Sequence, residues 1–379
     1  MIQLKTKGRP YNIIGPIVGR VTRDPDVEAE ILLVERDSPF SSLPRFKSII
    51  TPLDIGNQID KPSVCNVQNI DHLCNGDIVV VNTDGIINTL YRINSHHNFL
   101  LLTERCNSNC LMCSQPPKDR DDIPYFYDIY TQLIPLIPKT CSELGITGGE
   151  PTLLGRKFFQ LLQQLSFNLP ETEIHCLTNG RAFASSNMAN NLGRLSYSRL
   201  MLGIPVYSDY YQLHDYVVQA KGAFDQTIQG LYNLAKNKVR IEIRIVLHKL
   251  TIPRLPKLAK FIYKNLPFVE HVAFMALEYQ GYTPHNIDKL WIDPVDYSKE
   301  LSEAMHYLSD YDINVSLYNS QLCTTPQDLW QFSRKSISDW KNSYLAECNK
   351  CSVLEDCGGL FQSNMMKHSD HIKALLQKS

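Results

Sequence analysis

Apolar residues in this chain come mostly in runs of strand length, and the setting of those runs changes twice. Up to about residue 95, "EAEILLVER" and "GDIVVVNTDGIINTLYRI" are apolar stretches broken by Gly, Asn and Asp. They predict a β-rich domain with a hairpin around "NTDG". From 96 to about 290, strand-length runs alternate with stretches of 3.6-residue periodicity. Strands are predicted on "NFLLL", "SELGIT", "EIHCLT", "RLMLGIPV", "RIEIRIVLH" and "HVAFMAL". Helices are predicted on "FYDIYTQLIPLI", "KFFQLLQQLSF", "FDQTIQGLYNLAK" and "LPKLAKFIYKNL", with a weaker one at "MANNLGRL". Six strands interleaved with helices predict an α/β fold with a parallel sheet and right-handed crossovers. The pattern leaves a partial barrel and an open doubly wound sheet both standing. In either, chemistry gathers past the carboxyl ends of the strands. Residues 291 to 379 show one helical segment and then a cysteine cluster.

Composition adds bounds. A chain of 379 residues with 43% hydrophobic content can bury a large core and more than one domain. The net charge of −1 excludes a basic field that would recruit nucleic acid or an acidic membrane surface. No apolar run approaches the length of a membrane span. Met1 is followed by "IQLKTKGRP", without the apolar core of a secretion signal. Eleven cysteines in such a chain point to the reducing cytoplasm, where thiols bind metal more often than they pair.

The stretch "TERCNSNCLMCSQPP" places Cys106, Cys110 and Cys113 at C-x3-C-x2-C, just past the first strand of the alternating region. A structural zinc site asks for four ligands in a closed shell. His96 and His97 lie at the other end of that strand, roughly 15–20 Å away if it is extended, and do not supply the fourth. An iron–sulfur cluster held by three thiolates instead leaves one iron open for an exchangeable ligand.

This loop after the first strand of a repeated β/α unit resembles the signature of the radical S-adenosylmethionine (SAM) superfamily. The resemblance implies a partial (β/α)6 TIM-like barrel whose open iron chelates the methionine moiety of S-adenosylmethionine. Its chemistry is cleavage of the sulfonium to a 5′-deoxyadenosyl radical that takes a hydrogen atom from the substrate. "ITGGEPTL" is similar to the family's GGEP motif, so Gly148 and Gly149 are expected to approach the cofactor closely and Glu150 to accept its ammonium. The alternative for the glutamate is a helix cap. By the same resemblance Asn179 in "LTNGR", Ser208 and Arg244 are cofactor contacts, and the backbone at Leu277 and Glu278 borders the adenine. Met112 stands where the family usually has an aromatic residue; a thioether can fill that space.

"CNKCSVLEDCGG" sets Cys348, Cys351 and Cys357 at C-x2-C-x5-C, with Cys323 upstream. Four thiolates close a site, in zinc or in an iron–sulfur cluster. The spacing resembles the SPASM and twitch extensions, which implies one auxiliary 4Fe–4S cluster in the shorter twitch-like arrangement. Cys65, Cys74, Cys141 and Cys176 read as structural thiols. Further stretches, among them "HVAFMALEYQGY" and "LCTTPQDLWQFSRKSISDWKNSYLAECNKC", resemble the C-type radical maturases of the His-Xaa-Ser peptide system. That implies modification of a ribosomally made precursor peptide together with a sister B-type radical enzyme. Two alternatives stay open: a radical enzyme acting on a small molecule or RNA, and a non-enzymatic zinc protein. Tyr210, Tyr211, His214 and Asp215 either face substrate or belong to a surface helix, and "HSDHIKALLQK" predicts a short charged helix at the end.

Overall fold

The computed structural model describes residues 3–35, 45–55, 60–336, 338 and 341–376. They form two compact units. The first comprises Met1–Leu100, Ile123–Gly145 and Gln160–Thr172; the second comprises Leu101–Asp122, Ile146–Phe159 and Glu173–Ser379.

The first unit holds β1 (Lys5–Lys7), β2 (Arg9–Tyr11), β3 (Ile17–Thr22), β4 (Ile31–Leu33), β5 (Ser48–Ile50), β6 (Ser63–Cys65), β7 (Ile78–Val81) and β8 (Ile86–Tyr91). They pair in the order β1-β8-β7-β3-β4-β5-β6-β2. Only one residue separates β1 from β2, yet they lie at opposite ends of that order, so the sheet must curl until its edges meet. Val21, Ile31, Ile50, Val64, Val79 and Ile87 fill its core. The expected hairpin is present: β7 and β8 are antiparallel, and the Gly85 N–H closes the turn on the Asn82 carbonyl at 3.0 Å. Cys65 is buried and unpaired, with its sulfur 4.0 Å from the Ser63 hydroxyl.

The second sheet contains β9 (Asn98–Leu101), β10 (Glu143–Thr147), β11 (Glu173–Leu177), β12 (Leu200–Pro205), β13 (Arg240–Val246), β14 (His271–Met275), β15 (Asn314–Tyr318) and β16 (Ser333–Arg334). Spatial order follows chain order, and β11 to β16 pair in parallel. Winding always in one direction makes the sheet barrel-like. Between the strands run α1 (Ile123–Leu133), α2 (Arg156–Asn168), α3 (Ser186–Arg194), α4 (Tyr211–Val218), α5 (Ala223–Lys236), α6 (Leu255–Asn265), α7 (Ile287–Leu290) and α8 (Ser298–Asp310). The strands and helices predicted between 96 and 290 are all there. β15 and β16, beyond residue 290, were not predicted. β16 has two residues and no pattern to read, and β15 follows the one helical segment read beyond residue 290.

The two faces of this sheet differ. Leu202 and Ile204, Ile241, Ile243 and Ile245, Val272 and Phe274, and Leu317 are buried on one face, where α5 packs on β13 and α8 on β15. Strand alternation puts His175, Gly203, Glu242, Arg244, His271, Met275, Ser316 and Tyr318 on the other. That polar inner face is what the periodicity could not assign.

No described helix is long and apolar enough to cross a membrane. The expected C-terminal helix is absent: residues 368 to 376 run without helical structure. Ile372 instead turns toward the second cysteine cluster, and the Leu375 carbonyl accepts from the Ser352 N–H at 2.8 Å. A helix this short is marginal alone, and those contacts outweigh it.

Candidate functional site

The loop after β9 is pinned at its base. Asp122, 5% exposed, accepts from the Thr103 hydroxyl at 2.5 Å and the Glu104 N–H at 2.8 Å. Lys118 and Arg120 both pair with Glu104. Gly148 and Gly149 dock on this loop: the Gly149 N–H donates to the Thr103 carbonyl and the Glu150 N–H to the Arg105 carbonyl, each at 2.8 Å. Gly148 has φ +147°, and a Cβ there would lie 2.5 Å from the Thr103 carbonyl oxygen; one on Gly149 would run into that of Arg105. The close approach these glycines permit is to the cysteine loop itself.

Glu150 is fully buried. Oε1 accepts from the Thr152 N–H (3.0 Å), the Thr152 hydroxyl (2.6 Å) and the Thr178 hydroxyl (2.7 Å), and Oε2 from the Asn179 N–H (2.7 Å). The glutamate therefore caps the turn Pro151–Leu154 and ties it to the end of β11. Oε2, with one partner, keeps room for another donor. Asn179 reaches the cysteine loop through its side-chain amide, 2.6 Å from Asn107 Oδ1. Arg181 donates to the Asn107 carbonyl and the Ser108 hydroxyl.

Farther along, the Leu111 N–H donates to the Val217 carbonyl, and the Tyr282 N–H to the Cys113 carbonyl, both at 2.9 Å. Met112 packs with Leu111, Tyr207 and Leu277. Burial pushes the Cys106 thiol up to about 11, helped by Glu150 and Cys113. Burial likewise pushes Cys110 up to about 12, helped by Cys113 and Cys106, and raises Cys113. Half-buried thiols, with the ionisation of Cys106 and Cys110 opposed by their neighbours, suit a bound cationic metal centre, which reverses the sign of that interaction. The sulfurs do not close around one point: among the described residues no three His, Cys, Asp or Glu are grouped to hold a single metal ion.

Residues 100–262 match the Radical SAM superfamily. The chain carries a radical SAM domain. It resembles GTP 3′,8-cyclase of Desulforamulus reducens, 29% identical over 115 residues, which cover 29% of this chain and 34% of the relative. It also resembles Fe-coproporphyrin III synthase of Methanosarcina barkeri, 26% identical over 196 residues, 48% of this chain and 43% of the relative. The chain thus matches less than half the length of either curated relative. Among solved structures, Streptococcus suis SuiB bound to S-adenosylmethionine superposes with TM-score 0.51 at 13% identity, covering 73% of this chain and 75% of that one. The structure of anSMEcpe with bound AdoMet and Kp18Cys peptide gives TM-score 0.50 at 16% identity, covering 73% of this chain and 91% of that one. The fold is that of radical SAM enzymes, a superfamily that uses a 4Fe–4S cluster and S-adenosylmethionine.

The radical SAM domain places the other expected residues as follows. Ser208 is fully buried, and its oxygen accepts from the Tyr210 N–H at 3.1 Å. Arg244 points into the inner face rather than to the surface, with NH1 2.7 Å from Glu242 Oε1 and NH2 2.9 Å from the Met275 sulfur. Tyr210 and Tyr211 are exposed, whereas His214 is buried, its Nδ1 accepting from the Tyr207 N–H at 3.2 Å. Asp215 caps α5 by accepting from the Gly222 and Phe224 N–H groups. The sequence reading missed His175, Glu242, His271 and Ser316, which join Arg244 in one network: Glu242 Oε2 is 2.7 Å from His271 Nδ1, and His271 Nε2 is 2.9 Å from Ser316 Oγ. Part of their signal was present, as polar residues at every second position of β13 and β15.

Cys323, Cys348, Cys351 and Cys357 line one cavity, shared with Tyr344, Leu360 and Ile372. Burial raises the Cys323 and Cys348 thiols, and neighbouring cysteines raise them further. The Leu375 N–H lies 3.4 Å from the Cys351 sulfur, and Gln321 ties the two arms by donating to the Gly359 carbonyl at 2.8 Å. Beyond Cys357, Asn364 donates to the Leu277 carbonyl (2.8 Å) and accepts from the Tyr279 N–H (2.7 Å). Cys176 is buried, and the Cys141 sulfur sits 3.3 Å from the Glu143 carbonyl.

Proposed function

We propose that this chain is a radical SAM peptide maturase, acting in the cytoplasm on a ribosomally made precursor with His-Xaa-Ser repeats and alongside a sister B-type maturase. The observation that carries the reading is the docking of Gly148, Gly149 and Glu150 on the three-cysteine loop at the carboxyl ends of the strands, where Cys106 and Cys113 oppose ionisation of Cys110. Cys106, Cys110 and Cys113 would hold a 4Fe–4S cluster. Bound there with S-adenosylmethionine, it supplies a 5′-deoxyadenosyl radical for hydrogen abstraction. The free side of Glu150 Oε2 would take the cofactor's ammonium; Asn179, Ser208 and Arg244 would complete the contacts, with backbone groups of Gly148 and Gly149 alongside. Cys323, Cys348, Cys351 and Cys357 would hold one auxiliary 4Fe–4S cluster in a twitch-like region spanning 291–379, after a radical SAM core at 96–290 and a β-rich domain at 1–95. The peptide assignment draws support from the fold shared with a structure that binds AdoMet and a peptide together.

The likeness to GTP 3′,8-cyclase supports a second reading, a small-molecule substrate. Anaerobic reconstitution tests both. Under dithionite the wild type should release 5′-deoxyadenosine, and a Cys106→Ala/Cys110→Ala/Cys113→Ala variant should release none while retaining iron at the second site. Deoxyadenosine from that variant would sink the radical assignment. A colourless zinc protein would sink the whole reading. Mass change in a co-expressed His-Xaa-Ser peptide separates the peptide reading from the small-molecule one.

A further inference from the structure

The inner face of the barrel-like sheet carries a polar network of which the roles above use only Arg244. Glu242 lies at its centre, with its side chain 6% exposed. Burial pushes its carboxyl up, but the His175 and His271 imidazoles and the Arg244 charge outweigh this and hold it well below the usual carboxylate range. A carboxylate only accepts, so its 2.7 Å contact fixes the hydrogen of neutral His271 on Nδ1. Nε2 is then the basic nitrogen, and the Ser316 hydroxyl donates to it over 2.9 Å. The other carboxylate oxygen is engaged by Arg244 NH1 at 2.7 Å and approached by His175 Nε2 at 3.2 Å. Those two groups reach it from both sides of β12 because Gly203 has no side chain. A Cβ there would lie 2.9 Å from Arg244 Cδ and 3.0 Å from His175 Nε2.

The network is not closed. His175 Nε2 is buried without an aligned hydrogen bond, and the second Arg244 nitrogen meets only a thioether, a weak acceptor. The side chains of His271 and His175 remain 18% and 16% exposed. We propose that His271, oriented by Glu242 and reached through Ser316, is a base on this inner face, taking the proton of a substrate O–H or N–H group set against the Ser316 hydroxyl. The assignment rests on the peptide reading, whose Ser and His side chains carry such groups. In the step, the substrate O–H or N–H bond breaks and its electron pair stays on oxygen or nitrogen. Ser316 takes that proton as it passes its own to His271 Nε2, and Glu242 balances the imidazolium. Arg244 and His175 are positioning residues.

The titratable and charged groups facing His271 are Glu242 and Arg244 on β13, His175 on β11 and Tyr318 on β15. The ion chain Arg199–Glu173–Arg240–Glu270 lies at the amino ends of the strands. The test uses His271→Gln, Glu242→Gln and Ser316→Ala in the reconstituted full chain. The probe is a synthetic peptide of His-Gly-Ser repeats, with the sister maturase added. His271→Gln and Ser316→Ala should release deoxyadenosine at the wild-type level without peptide. His271→Gln should lose about a hundredfold in kcat for peptide modification with KM nearly unchanged. Glu242→Gln should lower the same kcat as well, because the imidazolium formed at His271 then lacks its counterion. Wild-type kcat in His271→Gln or in Glu242→Gln, or loss of deoxyadenosine in His271→Gln or Ser316→Ala, overturns this inference alone. A wild type that releases deoxyadenosine but leaves the peptide unchanged overturns the peptide reading and this assignment with it.

Discussion

Replacing Glu150 by Gln tests whether that carboxylate is first a structural bracket. The change is close to isosteric, so it opens no cavity. Oε1 collects three donors and Oε2 one. The best placement of the amide therefore keeps its oxygen on the threonine side and turns its NH2 toward the Asn179 N–H. That sets donor against donor in a fully buried site and removes one charge-assisted hydrogen bond, which costs about 1.5–3 kcal/mol. The loss falls on the link between the GGE corner and the end of β11. Local opening should then bring the Asn179 amide to exchange roughly ten- to hundredfold faster in hydrogen-exchange measurements on the metal-free protein. The Leu202 amide, in the middle of β12, should keep its rate. S-adenosylmethionine affinity of the reconstituted variant should fall as well, since the remaining acceptor site on Oε2 is lost. If Asn179 exchange is unchanged while affinity falls tenfold, Glu150 is a ligand group only and the bracket argument is wrong.

Other outcomes follow from the same contacts. Gly149→Ala should displace the cysteine loop and lower iron retention at the first site, read by iron and sulfide content, because its Cβ meets the Arg105 carbonyl oxygen. Asn364→Ala should weaken S-adenosylmethionine binding without changing iron content, as it frees the Leu277–Tyr279 backbone; unchanged binding would disconnect the C-terminal region from the cofactor site. Burial lowers His214 to about 4 and His248 to about 3, so both fold neutral. The unfolded chain takes up their protons below about pH 6.5, so their contribution is intact above that pH and is lost as pH falls toward 4. The melting temperature of the metal-free protein should drop across that window, and His248→Leu, which orphans no hydrogen-bond partner, should flatten the drop.

What could be read from the chain alone was local. The spacing of Cys106, Cys110 and Cys113 lies within one loop, and strand and helix periodicities repeat within a few residues, so each leaves its full record in a short window. The roles of Glu150 and Arg244 were not local. The Glu150 carboxylate is satisfied by Asn179, 29 positions away, and Arg244 meets Met275, 31 positions away. Asn364, which holds the Leu277 backbone across 87 positions, carries no motif at all. The inner-face network needs β11, β13, β14 and β15 side by side in register before its residues become neighbours. A charged residue on a strand reads as solvent-facing until the sheet winds around it, because periodicity gives the face and only closure of the sheet decides whether that face meets water.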